Sequence, residues 1–281
     1  MPSEPAPHLR SVIITGGASG IGFEITKFYA ADQSNCVYII DLNAESGVNA
    51  SKTILDNFPG SNVKFKQCDI ASWDSLERVF WEVFLEQGNV GIVVANAGIS
   101  ERGHFIAQEE APKPTKPNLA TFEVNLIGTI YTIKLAAFYI RKSCLPSNEA
   151  HFKGGIICIA SVAGIYPFPT APLYAATKHA IVGIVRSLAR PLALDGISIN
   201  ALAPNVIETN IAASAELFKR MILTPSATLR EGMKQLSDHK GLTGKVLVLS
   251  GDKVTYQDGP AFDVNDEIEN NIEEFWRLGY S

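Results

Sequence analysis

The chain has 281 residues, 46% hydrophobic and 19% charged, with a formal net charge of −5 at pH 7. That is ample material for one large α/β domain or two small ones, and the acidic balance, without a basic stripe, argues against nucleic acid as a partner. No run approaches the roughly 20 apolar residues of a membrane helix, and the proline-rich start lacks an apolar signal core, so a soluble, cytoplasmic protein is expected.

Short β-branched runs alternate with helical patterns along the chain. Residues 11–15 predict a first strand and 21–31 the helix after it; 36–41 predict a second strand, and 44–58 a helix ended by Pro59-Gly60. Further apolar runs at 63–68, 90–95, 155–160, 197–201 and 245–249 complete about seven strands. Near-continuous apolar strands separated by helices imply an α/β fold with a parallel sheet covered on both faces. No repeat or linker divides residues 1–281, which read as one domain. The helical, Lys/Arg-richer stretch 211–241 falls between two predicted strands, where it would overhang the ligand crevice of an open α/β sheet as a substrate lid; a surface helical pair that only packs is the plainer reading. The four cysteines have no metal-like pairing and read as buried free thiols of a reducing compartment. The five histidines are scattered without ligand spacing, so no metal is expected. His104, after Gly98, either lines the substrate site or is exposed on its loop.

Thr15-Gly-Gly-Ala-Ser-Gly-Ile-Gly22 joins the first strand to the first helix. Glycines there permit a tight turn and let backbone N–H groups approach a pyrophosphate at the positive end of the helix. Glycine also serves plain turns, but the strand-to-helix position favours a nucleotide. The contact residues would be Gly16, Ser19, Gly20, Ile21 and Gly22. Asp41 ends the second strand about 20 residues on, where a carboxylate can accept from a ribose diol; capping the next helix is an alternative use of it. A carboxylate there repels a 2′-phosphate, and Ser19 and Leu42 offer no compensating cation, so NAD is preferred over NADP. Asp69, with Ile70 beside it, is placed to meet the adenine, and Asn96-Ala97-Gly98 to wall the adenosine ribose.

Tyr174 and Lys178 lie four residues apart in a helical stretch, which puts phenol and ammonium on one face. A fixed cation favours the phenolate; bringing a phenol from about 10 to about 7 requires roughly 4 kcal/mol of differential stabilisation. Taken alone, the pair reads better as an exposed Tyr and Lys on an ordinary amphipathic helix, so the rest of the chain decides.

The motifs Thr15-Gly-x-x-x-Gly-Ile-Gly22, Asp69, Asn96-Ala-Gly98, Asn125, Ser161 and Tyr174-x-x-x-Lys178 occur in the order and spacing of the short-chain dehydrogenase/reductases. The resemblance runs from about Ser11 to Gly259. Within that family the chain is most similar to the NAD-dependent hydroxyprostaglandin dehydrogenase type and its fungal secondary-metabolism relatives. It implies a single Rossmann-type doubly wound domain, with Tyr174 as acid/base and Lys178 lowering its pKa while binding the nicotinamide ribose. Ser161 would bond the substrate oxygen, Asn125 would hold a relay water, and residues 204–209, including Pro204, Ile207 and Thr209, would close over the nicotinamide. A homodimer or homotetramer through helices around 121–142 and 174–193 is also implied. Two departures stand out: Pro204-Asn205 replaces the usual Pro-Gly, and Ala95 stands where a second Asn is frequent. The function expected is hydride transfer between NAD and a secondary alcohol or ketone on a bulky hydrophobic small molecule. Apolar residues of the 211–222 stretch and Phe168-Pro169 would form the substrate walls. The rivals are an NADPH-dependent ketoreductase on the same fold and a cofactor-binding protein without redox activity.

Overall fold

Val12, Ile13 and Ile14 are all fully buried, which requires a strand covered on both faces. The computed structural model describes residues 9–103, 105, 113–143, 152–207, 221–239, 241–259 and 266–279. The three residues lie in β1 (Arg10–Thr15), inside a sheet of order β3-β2-β1-β4-β5-β6-β7-β8. The other strands are β2 (Asn35–Asp41), β3 (Asn62–Gln67), β4 (Ile92–Ala95), β5 (Gly154–Ile159), β6 (Ile197–Pro204), β7 (Val246–Ser250) and β8 (Lys253–Tyr256). All pairs are parallel except β7–β8. The sequence pattern does not signal β8: it is four residues long, mostly exposed, and reached through Gly251 at φ +56°.

Alternating side chains of the strands feed two cores. Ile13, Tyr38 and Val93 face α3 (Trp73–Gln87), α5 (Thr129–Lys142) and α6 (Pro172–Leu194), where Phe80, Ile140 and Val185 are fully buried. Val12, Ile14, Val37 and Val94 face α1 (Gly20–Ala30), α2 (Ala44–Asn57) and α7 (Ser226–Asp238). β3 departs from the apolar pattern because it is an edge. Its Lys64 and Lys66 bond Glu86 of α3 at 2.8 and 2.6 Å, and Lys66 also reaches Glu82 at 2.9 Å, so the edge presents charge rather than a pairing surface.

The described part of the expected lid divides in two. α7 is a sheet-covering helix, with Leu229 and Met233 in the core, because its apolar residues recur at helical spacing on one side. Met221 and Ile222 are exposed; Ile211, Leu217, Phe218 and Thr209 lie outside the described residues, as does His104. At the C-terminal end, α8 (Asp266–Gly279) presents Glu269, Glu273 and Glu274 to solvent and is tied to α6 by Arg190, which pairs with Glu273 and lies 4.5 Å over the Trp276 ring. Among the described residues no helix is long and apolar enough to cross a membrane.

Candidate active site

The strand order reverses between β1 and β4, and a cleft of about 570 Å³ lies at the C-terminal ends of the strands there. This is where open α/β sheets bind ligands. Of the sequence-predicted contact residues, Gly16, Ser19, Gly20, Ile21, Gly22, Asp41, Asp69, Ile70, Asn96, Ala97, Gly98, Ser161, Tyr174, Lys178, Pro204 and Ile207 all line it. Thr209 lies outside the described residues, and Asn125 sits behind the wall.

One end of the cleft is made by the glycine turn. Gly16 and Gly20 have φ of +63° and +52°, open to glycine and strained for other residues. A Cβ on Gly22 would overlap the Gly16 carbonyl oxygen, so α1 can approach the turn only with glycine there. Asp41 Oδ2 accepts from Ala18 N at 3.2 Å, and Oδ1 from Asn43 N at 3.1 Å. The cap of α2 is Asn43, whose Oδ1 accepts from Ser46 N, so Asp41 is not the capping residue. Asn96 is a clamp: Nδ2 donates to Thr15 O and Gly16 O at 2.9 and 3.1 Å, and its backbone N donates to Thr15 Oγ1 at 3.0 Å. Thr15, the last residue of β1 and the first of the glycine motif, thus locks β4 to the turn.

At the opposite end, α6 carries Tyr174 and Lys178. Lys178 is buried, its Nζ donates to Ile159 O at 2.8 Å, and it lies 5.5 Å from the Tyr174 ring centroid. Ser161 follows β5 and its Oγ accepts from Ala163 N at 3.1 Å, capping a short 3₁₀ turn over Val162–Gly164. Asn125 occupies a π-helical stretch, Glu123–Gly128, between α4 (Ala120–Phe122) and α5; such stretches are frequent at functional sites. Its side chain is fully buried, accepting from Ile99 N at 2.8 Å and donating to Ile99 O at 2.9 Å. The amide is thus engaged with the β4–α4 loop rather than turned toward Lys178.

Burial sets the protonation of this end. It pushes the Tyr174 phenol above its ordinary value, and a hydrogen bond with Ser161 acts in the opposite direction. It also pulls the Lys178 ammonium down to about 8, against the raising influence of Cys158 beneath it, and pushes that thiol up to about 12. In the protein alone the phenol is therefore raised rather than lowered. The ammonium lies over the ring, and desolvation of the phenolate outweighs the Ser161 hydrogen bond.

Pro204-Asn205 keeps its turn without a left-handed residue. No described non-glycine residue has positive φ, and Asn205 is tied to the end of β7 by N to Leu249 O (2.8 Å) and Nδ2 to Ser250 Oγ (3.1 Å). Three residues missed from the sequence also matter. Ser100 and Arg102 line the cleft. Glu101 between them accepts from Leu173 N and Tyr174 N at 2.7 and 3.0 Å. The available signal was that Ala171-Pro172-Leu173 opens a 23-residue helix with no side-chain cap of its own.

A family model described as short chain dehydrogenase matches residues 10–219. The chain belongs to the short-chain dehydrogenase family. It is 28% identical over 275 residues to the 15-hydroxyprostaglandin dehydrogenase [NAD(+)] of Rattus norvegicus, covering 90% of this chain and 96% of that one. It is 35% identical over 211 residues to the NADP-dependent dehydrogenase M3 of Phoma sp., covering 71% and 60%. The chain spans about three fifths of the length of that protein and of two Penicillium relatives. A solved structure of ElxO with NADP bound has 25% identity and a TM-score of 0.72, covering 86% of this chain and 98% of that one. This short-chain dehydrogenase is thus an oxidoreductase of the kind that acts on CH–OH with NAD(P).

Proposed function

We propose that this dehydrogenase oxidises a secondary alcohol on a bulky, hydrophobic small molecule, or reduces the corresponding ketone, with NAD as its cofactor. The observation that carries the reading is the convergence of Ser161, Tyr174 and Lys178 at one end of a cleft whose other end is a glycine turn closed by Asp41. The residues fit a dinucleotide: the turn is backbone-lined, α1 approaches it closely through Gly22, and the cleft is of ligand size. When bound, the nicotinamide cofactor supplies the hydride acceptor or donor.

In the oxidative direction Tyr174 Oη takes the substrate O–H proton while the carbinol hydrogen departs with its electron pair, and the C–O bond becomes C=O. The Ser161 hydroxyl holds the reacting oxygen and stabilises its developing charge. Lys178, fixed by Ile159 O, binds the ribose and contributes positive charge beneath the phenol. Asn125 fixes the loop at Ile99 through its amide, so a relay water in this stretch would be held by backbone groups rather than by that occupied amide. Phe168, exposed with its ring 6.4 Å from that of Tyr174, and Pro169 beside it would form a substrate wall.

NAD is favoured because the Asp41 carboxylate at the end of β2 would repel a 2′-phosphate, and the neighbouring cleft residues Ser19 and Leu42 offer no compensating cation. The hydroxyprostaglandin and fungal relatives support a large lipophilic or secondary-metabolite alcohol as substrate. Exposed Ile130 and Phe138 on α5 support a homodimer or homotetramer, and the buried free thiols Cys36, Cys68 and Cys158 support a cytoplasmic setting. A screen of hydrophobic secondary alcohols for NADH formation tests the redox reading. The wild-type chain is expected to turn over at least one class, and Tyr174→Phe to bind NADH while losing roughly 10²-fold or more in kcat. If Tyr174→Phe kept full turnover, the chain would be read instead as a cofactor-binding protein whose activity is not proton-coupled redox.

A further inference from the structure

We propose that Glu101 is a positioning residue for the acid/base helix, acting as a cap supplied from a distant loop; this rests on the reading of Tyr174 as the proton acceptor. A helix leaves its first N–H groups unpaired, and each needs an acceptor. α6 begins at Ala171-Pro172 with no side-chain cap and no acid in its first turn. Proline at the first position removes one donor, and the Leu173 and Tyr174 N–H groups remain. Both are taken by a single oxygen, Oε2 of Glu101, at 2.7 and 3.0 Å, from a residue more than 70 positions earlier. Charge-assisted bonds of this length are about twice as strong as neutral ones.

The loop that carries Glu101 is itself held. Two positions before it, both backbone groups of Ile99 are bonded by the buried Asn125 amide at 2.8 and 2.9 Å. Residues 99–101 thus form a short strap from the π-helical stretch to the first turn of α6. The strap alternates: Ser100 and Arg102 line the cleft, whereas Glu101 does not and is directed at the helix. Its effect therefore passes through the backbone from which the phenol projects. One helical turn later, Lys178 reaches Ile159 O, so α6 is pinned at both ends of its reactive pair. Loss of the Glu101 acceptor frees the Tyr174 end and leaves the Lys178 end and the adenosine end in place.

The test compares Glu101→Ala and Glu101→Gln with wild type and Tyr174→Phe, using NAD and the best alcohol from the screen, with NADH binding titrated on the same preparations. Glu101→Ala is expected to lower kcat roughly 10- to 100-fold, the scale of an ångström-level misplacement. NADH affinity and binding stoichiometry should stay within about twofold. Glu101→Gln keeps an oxygen that accepts both N–H groups and is expected to recover kcat to within about threefold of wild type. Glu101→Met, which retains bulk without an acceptor, makes the same comparison should the alanine variant fail to fold. If the acceptor-less variant keeps wild-type kcat while Tyr174→Phe is inactive, the positioning role is overturned and the Tyr174 assignment stands. If Glu101→Gln is as impaired as Glu101→Ala, acceptance of the two N–H groups is not what matters, and the proposal is likewise overturned. If Tyr174→Phe is fully active, the assignment of the proton acceptor itself is what fails.

Discussion

The two ends of the cleft are built on different principles. The end at the glycine turn is mostly backbone: two left-handed glycines, a third that lets α1 close on the turn, and amides organised by Thr15, Asp41 and Asn96. The reactive end is made of side chains from three separated segments, held by Ile159, Ile99 and Glu101 through contacts 19 to 73 residues apart. Its burial works against its chemistry, raising the phenol and lowering the ammonium. The first end is shaped by backbone geometry, whereas the second would need added positive charge to hold a Tyr174 phenolate near neutral pH.

Substitutions can sharpen or break this contrast. The largest effect is expected at Gly22, where Gly22→Val drives side-chain atoms into the Gly16 carbonyl. NADH binding should fall below detection, with stability down by several kcal/mol, read by titration and thermal unfolding. Retained affinity would show that the turn is not the pyrophosphate site. Lys178→Met comes next and separates function from stability. Turnover should fall by roughly 10², yet the folded protein should gain up to roughly 3 kcal/mol near neutral pH. The sign follows from burial: Lys178 has a folded pKa of about 8 against an ordinary value of 10.5. Its charged form opposes folding below about pH 8, and the penalty is relieved as pH rises from there to the unfolded value, so the variant's advantage should vanish in alkali. Denaturant unfolding at several pH values checks this. The smallest effect is expected at Asp41: Asp41→Ala should lower NAD over NADP discrimination by roughly tenfold, about 1.4 kcal/mol. An unchanged ratio of kcat/KM values would remove the Asp41 argument for NAD.

The same contrast explains what was legible in the sequence. The glycine turn, Asp41 and the apolar parallel strands follow from local residue types and periodicity, and they lie where those patterns place them. β8 was invisible because a four-residue exposed hairpin strand carries no apolar run. α7 resembled a lid element in sequence, because only packing shows that Leu229 and Met233 face the sheet. Glu101 was missed because its partners are remote, although the uncapped start of α6 pointed to an acceptor from elsewhere. The rise of the Tyr174 phenol in the protein alone was not legible, because spacing reports the proximity of Lys178 but not the desolvation that accompanies it. The placing of Tyr174 and Lys178 on one helical face was therefore readable from their spacing, and the burial of the pair was not.

The central claim is that Tyr174 carries the proton in a site where burial holds its phenol high. It is tested most directly by the pH dependence of kcat/KM for alcohol oxidation at saturating NAD, wild type against Tyr174→Phe. Oxidation needs the phenolate, so the wild-type profile should rise with pH through a single deprotonation to a plateau, while Tyr174→Phe should be lower by roughly 10² and lack that limb. A Tyr174→Phe profile that keeps the wild-type limb would contradict the claim.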